Sequence, residues 1–395
     1  MALLVNWLIL KFYSVDDYVL WAVASSILMI APTSEMGIGQ LTVIKLTHSE
    51  KSEWHRILDE STVALVPLTL LAGLFVCLAL AHDSLGYAAA MAVILAARLI
   101  AIPYSAVLNA TNQFKARKAF EFIAYALAAL LIWAIAVQGW DVRWALVVLN
   151  ASLTVGAFGA MWYARRFLLP QAATKASSFK QMRAVTLALY RSSIPFMLVN
   201  LSGLLTYGGF IWAASFVLDT HELAKLSILH AFILMNLYQV YDVFLKARQA
   251  DLASSQLTLP YRRLNALVIL TLPVAFALLG PPLLPFFSDS VDYTRTEVAL
   301  FGMFIACELG NLFALSVAQM RPAMIAKLKH YCVLRLTVFI AFILPLFPIV
   351  GFTSSLSTLI IGLSVISGGT LFYLSYQIAD VERRAAKTTL LNSVK

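Results

Sequence analysis

Charge is scarce in this chain. Of 395 residues, 12% are Asp, Glu, Lys or Arg and 61% are hydrophobic. A soluble domain carries about 25% charged residues, so an ordinary water-exposed globule is excluded. Cysteine is also scarce. Cys77, Cys307 and Cys332 all fall in apolar runs, and no C-x-x-C spacing occurs. That excludes a disulfide framework and a thiolate metal site, and leaves three small apolar residues. The opening MALLVNWLIL lacks a basic n-region and a small-x-small cleavage site, so no cleavable signal peptide is expected. It is also too short to span, with about ten residues before Lys11, which reads as a truncated first helix or a half-span. G-x-S-x-G, H-E-x-x-H and P-loop motifs are missing. The longest connection, 165–193, is too short for a catalytic or nucleotide-binding domain. We therefore expect no enzyme and no cofactor.

Apolar runs fill the rest. They fall at 1–12, 18–46, 61–81, 85–110, 119–138, 144–164, 194–218, 223–247, 264–287, 296–320, 331–350 and 354–377. Most are long enough to cross a hydrocarbon core of about 30 Å. The expected fold class is an all-α polytopic membrane protein of about twelve transmembrane segments, the first short. Proline inside the runs (Pro32, Pro67, Pro103, Pro195, Pro273, Pro345) predicts kinks that neighbouring helices accommodate.

The cations divide unevenly. Connections after even-numbered segments, with the C-terminal tail, hold 24 of the 29 Lys and Arg residues. The alternate connections hold four, namely Lys11, Arg143, Lys225 and Arg295, and Arg98 lies within a span. The positive-inside rule places the first set, and the C-terminus, in the cytoplasm. The net charge of +9 then reflects loops beside anionic membrane lipid, without nucleic acid.

The chain repeats itself. FYSVDDYVLWAVASSILM (12–29) resembles FVLDTHELAKLSILHAFILM, read from Phe216, at an offset near half the chain. Both are a helix end, a short acidic turn and a new helix. This predicts two pseudo-symmetric six-helix lobes in parallel repeat, as in rocking transporters. The expected boundaries are 1–164 for the N-terminal lobe, 165–193 for a basic cytoplasmic linker, 194–377 for the C-terminal lobe and 378–395 for the tail.

Within 11–46 the acidic turn and tyrosine (Asp16, Asp17, Tyr18) precede a helix that ends in Glu35, Met36, Gly37 and Gly39. This stretch resembles the start of bacterial polysaccharide-export flippases of the O-antigen (Wzx) type, in the MATE-like MOP superfamily. The turn NATNQFKARKAF (109–120) resembles the short basic turn between that family's fourth and fifth helices. The resemblance implies a MATE-like fold of two bundles alternating about a central cavity. It implies a bacterial inner-membrane flippase for a polyprenyl-diphosphate-linked oligosaccharide. Its partners would be membrane lipids, a polysaccharide polymerase and a chain-length regulator. The family's first helix is complete where this chain's is short.

An ionisable group deep in a span costs from about 2.5 to above 10 kcal/mol, so it faces a bundle interior or water. Arg98 lies about twelve residues into segment 4, or ~18 Å along the helix. It reads as a cation for an anionic diphosphate, or as one half of a structural ion pair. Glu308 lies at the matching depth of segment 10, with Asn311 on its helix face. It reads as an ion-coupling carboxylate, as a cross-lobe lock with Arg98, or as a protonated, hydrogen-bonded acid packed in its own lobe. Glu35 reads as an ion-coupling group or as a packing site beside Gly37 and Gly39. Gly-x-Gly without a preceding strand excludes nucleotide binding. Asp242 sits about two positions off the repeat register from Glu35 and reads as ion-coupling, or as a surface pair with Lys246. With Lys246, Arg248 and Arg191 it would form an entrance for a phosphorylated headgroup. His230, Asn200, Asn236 and Gln239 add polarity to segments 7 and 8. Trp21, Trp133, Trp140, Trp144 and Trp212 read as an interfacial aromatic belt. Two competing functions stand beside the flippase. One is a cation-coupled small-molecule antiporter of the MATE kind. The other is a membrane enzyme such as an O-antigen polymerase, which the short periplasmic connections disfavour.

Overall fold

A computed structural model describes residues 2–33, 35, 37–81, 84–111, 113–169, 179–204, 209–247, 259–283, 291–320, 328, 330–337, 340 and 355–393. Among these the regular structure is helical throughout. The first helices are α1 (Ala2–Phe12), α2 (Val15–Thr33), α3 (Ile38–His48), α4 (Trp54–Leu80), α5 (Leu85–Ile100) and α6 (Ile102–Ala110). Then come α7 (Phe114–Val137), α8 (Val142–Tyr163), α9 (Phe179–Leu204), α10 (Phe210–Ala214), α11 (Thr220–Ile228) and α12 (Met235–Ala247). The last are α13 (Leu259–Leu283), α14 (Arg295–Met320) and α15 (Leu356–Ser393). Six helical stretches among the described residues are long and apolar enough to cross a membrane: Lys51–Leu80, Leu85–Ala110, Lys115–Val137, Val142–Leu168, Arg295–Ala318 and Leu356–Val381. The chain is a multi-pass membrane protein.

Local chemistry sets the helix ends. Ser14 and Asp17 form a reciprocal capping box at the start of α2: Ser14 Oγ accepts from the Asp17 N–H at 3.1 Å, and Asp17 Oδ2 accepts from the Ser14 N–H at 3.3 Å. Thr294 and Glu297 repeat the device before α14. Asp219 caps α11 by accepting from the Glu222 N–H at 2.8 Å. The two acidic turns that the sequence sets in parallel therefore both serve as N-caps. Pro103, lacking an N–H, sits at the start of α6, and the chain breaks at Ala101 between α5 and α6. Segment 2 also breaks. Glu35 and Gly37 lie in a turn between α2 and α3, with Gly37 in the left-handed region at φ 71°.

The chain forms two compact units, Met1–Trp212 and Ala213–Lys395. In the first, α4 runs along α5, α7 along α8, α3 packs on α6, and α1 lies on α7. Trp21 Nε1 donates to Asn6 Oδ1 at 3.1 Å and ties α2 to α1, so this tryptophan is buried rather than interfacial. Trp133, Trp140 and Trp144 are about half exposed, as an aromatic belt requires. Leu70, Leu78 and Val93 are each 69% exposed, the outward apolar face of a lipid-embedded bundle. In the second unit α14 packs along both α13 and α15. Between α11 and α12 the helix winds through a π turn, Leu229–Leu234, in the core. Asn236 Nδ2 donates to the carbonyls of Ala231 and Phe232, both at 3.0 Å, and satisfies groups that the wider turn frees.

Residues 179–193, read as linker, are helical as the first part of α9. The stretch is amphipathic: Leu189 is buried and Arg191 exposed, and the charged face hides the apolar one in a hydropathy reading. Leu189, Val185, Tyr190 and Phe196 join Ile38, Leu41, Ala64, Leu65 and Leu68 in one cluster of the first unit. Tyr190 OH donates to the Ala64 carbonyl at 2.6 Å. The approach is tight at Gly37, where an added Cβ would run into Phe196 Cβ and lie 2.9 Å from the Met197 nitrogen.

Gly37→Ala should therefore lose about 1–2 kcal/mol to left-handed strain and a further ~1–3 kcal/mol to overpacking. Gly139→Ala is the control, with φ 70° and nothing within 4 Å of an added Cβ, and should show the strain alone. Thermal unfolding of the two purified variants checks the difference, and equal losses would refute the tight α3–α9 contact.

Candidate functional site

The first unit gathers ions at the α6–α7 turn. Asn109 lies in the last turn of α6, and its Oδ1 accepts from Arg117 Nη1 at 3.1 Å across the turn. On α7 the i,i+4 and i,i+3 spacings bring two cations onto one carboxylate: Arg117 Nε lies 3.1 Å from Glu121 Oε1, and Lys118 Nζ lies 2.6 Å from Glu121 Oε2. Arg98 is half-buried in the last turn of α5. It sits within electrostatic reach of Glu121 and Tyr125. Its side chain makes no hydrogen bond or contact ion pair among the described residues. At the break the Ala101 N–H donates to the Arg98 carbonyl at 3.1 Å, and α6 follows at once. Nearby, the Arg165 guanidinium stacks 4.6 Å from the Tyr104 ring centroid and donates to the tyrosine hydroxyl.

Glu35 stands between the two broken helices. A Cβ at Gly39 would lie 2.8 Å from Glu35 Oε2 and 2.9 Å from Ile102 Cγ2, so glycine is what admits the carboxylate there. The Gly39 N–H hydrogen-bonds the carboxylate, and Arg117 acts on it electrostatically. Oε2 remains buried with no hydrogen-bond partner.

The second unit answers its charge differently. Arg335 Nη2 donates to both oxygens of Glu308, at 2.8 and 2.6 Å. Both side chains are buried, at 5% and 2% exposure. Ser367 Oγ donates to Glu308 Oε1, Tyr331 OH donates to Asn311 Oδ1, and Asn311 Nδ2 donates to the Ser367 carbonyl. The Glu308 carboxylate is thus held by a cation of its own unit as an ion pair, an arrangement that differs from the protonated acid among the sequence readings. Arg335 falls among the 24 cations that the charge distribution assigns to cytoplasmic connections, yet here it is buried. Lys225, counted as a loop cation of the other side, is likewise buried, 2.9 Å from Glu222 and 3.3 Å from Glu297.

Of the remaining candidates, Arg191 is exposed on α9 and joins no site described here. The backbones of Asp242 and Lys246 belong to α12, while their side chains, and all of Arg248, lie outside the described residues. The proposed headgroup entrance therefore falls outside them too. Asn200 Oδ1 accepts from Gln40 Nε2 at 3.4 Å, and His230 is buried in the π turn. Sequence reasoning missed Arg335 because nothing local links positions 27 apart. The available signal was that a buried Glu308 requires a partner. It missed Glu121 although Arg117–Glu121 has ordinary helix-pair spacing.

Removing one partner of a buried ion pair leaves the other charge stranded, at about 3–5 kcal/mol. Arg335→Met should unfold the protein at a markedly lower temperature. The double change Glu308→Leu with Arg335→Met should recover much of that loss. A thermal double-mutant cycle without such recovery would contradict the pairing.

No family model matches the chain, and no curated protein matches it. Among solved structures, one described as the inward-facing conformation of a multidrug resistance MATE family transporter of the MOP superfamily aligns over 96% of this chain and 94% of that one. The TM-score is 0.65 at 14% identity. A crystal structure of MATE in the bent conformation aligns at 13% identity with a TM-score of 0.46, covering 98% and 95% of the two chains. At 14% identity the first likeness concerns the backbone arrangement. The chain has an all-α, MATE-like membrane fold.

Proposed function

We propose that this chain is an alternating-access transporter of a bacterial inner membrane. Its substrate is a polyprenyl-diphosphate-linked oligosaccharide, moved from the cytoplasmic to the periplasmic leaflet for surface polysaccharide biosynthesis. The MATE-like fold supports transport in general. The observation that carries the finer reading is Arg98, a half-buried guanidinium in a membrane-length helix with no contact ion pair among the described residues. The field of Glu121 lowers the cost of that charge, and an anionic diphosphate would supply a bidentate acceptor for its forked donors. The glycan would pass through a polar path while the lipid tail stays in the bilayer. The excess of cations in one set of connections supports a cytoplasmic C-terminus. In this reading the protein works beside a polymerase and a chain-length regulator, with no chemistry of its own.

A second reading, a cation-coupled small-molecule antiporter, is favoured by Glu35, whose Oε2 is buried without a hydrogen-bond partner. A carboxylate in that position gains from binding a proton or a small cation.

Deleting the gene should abolish surface polysaccharide and leave the lipid-linked precursor on the inner leaflet. Arg98→Ala should fail to restore export at normal protein abundance. Full export by Arg98→Ala would remove Arg98 from the mechanism. Intact polysaccharide in the deletion strain, with altered drug sensitivity, would replace the glycan reading with the antiporter.

A further inference from the structure

We infer that the cation-bearing end of α8 holds the headgroup of one anionic phospholipid. Arg165 and Arg166 bind its phosphodiester, and Trp162 and Phe167 lie against the first methylenes of its chains. The inference is independent of the cargo proposed above. One face of α8 matches a bilayer at both ends. Trp162 follows Trp144 by about five turns, or ~27 Å, so the two share a face at nearly the separation of the two interfaces. Both are exposed, Trp144 at 55% and Trp162 at 60%, and Val155 and Phe158 continue the exposed face between them. An interfacial belt places a tryptophan at each end of such a lipid-facing stripe. Arg165 and Arg166 follow Trp162 within about one turn, at headgroup level.

Local structure turns these side chains outward. α8 runs into a π turn, Ala164–Leu168, closed by the Leu169 N–H on the Ala164 carbonyl at 3.1 Å. Ala164 and Leu169 are buried with Trp54, Leu58 and Tyr104, while Arg165, Arg166 and Phe167 between them are exposed. Positions five apart share a face in a π turn, and Phe167 accordingly meets Trp162 edge to face with ring centroids 5.8 Å apart. The two rings form an apolar shelf beside the arginines. Arg165 is held in place by the buried Tyr104: its guanidinium lies 4.6 Å from the ring centroid and Nη2 donates to the hydroxyl. A neutral aromatic partner fixes the fork without cancelling its charge. Neither arginine forms an ion pair among the described residues. The sequence supplies no carboxylate nearby in the chain, since no Asp or Glu occurs between Asp141 and Asp219. Around the start of α4, which packs into the same cluster, Glu53 and Glu60 face Arg56 at 3.0 and 3.8 Å. On α7, Glu121 is contacted by Arg117 and Lys118. A phosphodiester provides the acceptor that the protein withholds, with two oxygens for a forked donor. The shelf selects a lipid over soluble phosphate, which has no chain to lay on Trp162 and Phe167.

The test is native mass spectrometry of the full-length protein released from nanodiscs of mixed phosphatidylglycerol and phosphatidylcholine, counting the lipids retained. The paired change Arg165→Ala with Arg166→Ala should release one phosphatidylglycerol per protein. The affinity for that lipid should fall about tenfold to thirtyfold, the worth of two cations at an anionic surface. If the alanine pair does not fold, Arg165→Lys with Arg166→Lys keeps both charges, loses the forks and the Tyr104 stack, and should still weaken the lipid severalfold. Arg56→Ala, which removes a cation already facing its own carboxylates, should release none. An unchanged phosphatidylglycerol count in the paired variants overturns the site. A loss by Arg56→Ala as large as theirs also overturns it, by showing a bulk charge effect. Phosphatidylcholine held equally well in the same place overturns the anionic headgroup. Release of the lipid by inorganic phosphate, but not by sodium chloride of equal ionic strength, assigns the site to a soluble anion and overturns the lipid.

Discussion

Low-dielectric surroundings reject an unanswered ion, and this constraint shapes both units. A carboxylate at the middle of α14 has no access to bulk water, so the fold brings Arg335 to it with two hydrogen bonds and adds Ser367 to the same oxygens. Tyr331 and Asn311 close the network around them. Such a group adds little net stability over an apolar replacement. Its effect is on arrangement: the helical stretch 330–337, α14 and α15 have one geometry in which every polar atom of the network is satisfied. The first unit keeps its intramembrane cation on looser terms. Arg98 is supported by the field of Glu121 on α7 rather than by a clamp.

Both features depend on interrupted helices. Pro103 opens α6 just beyond the end of α5, whose last turn carries Arg98. Gly37 turns the chain between α2 and α3 and leaves Glu35 in the bend. The two interruptions meet, because Gly39 of α3 has both the Glu35 carboxylate and Ile102 at the start of α6 against it. Irregular backbone at membrane depth is tolerated where protein surrounds it, and discontinuous helices are a recurring way for transporters to hold ions.

The spans were legible because they depend on composition alone. Runs such as 61–81, 85–110 and 119–138 return as α4, the α5–α6 pair and α7. The flagged Pro103 and the glycines after Glu35 are where the helices break. Partners were not legible. Arg335 stands near the edge of an apolar run, where a cation ordinarily belongs to a loop, and its link to Glu308 is purely spatial. Lys225 misleads in the same way, being buried by Glu222 one turn earlier and by Glu297 from another helix. The helical part of 165–193 was hidden because charged residues on one face mask the apolar residues on the other. In each case hydropathy averages over a ring of directions, and the missing knowledge was which direction faces protein.

The π turn Leu229–Leu234 has its own arithmetic. An i→i+5 turn holds about one residue more than an α turn, and one residue of α-helix is about 100° of rotation. The buried stripe of α11 therefore does not continue straight into α12; it is stepped around the axis by roughly a quarter turn or more. A repeat aligned residue for residue above Leu229 must slip by one below it. A single wide turn is thus enough to put two helical stretches of one sequence out of step with a residue-by-residue comparison.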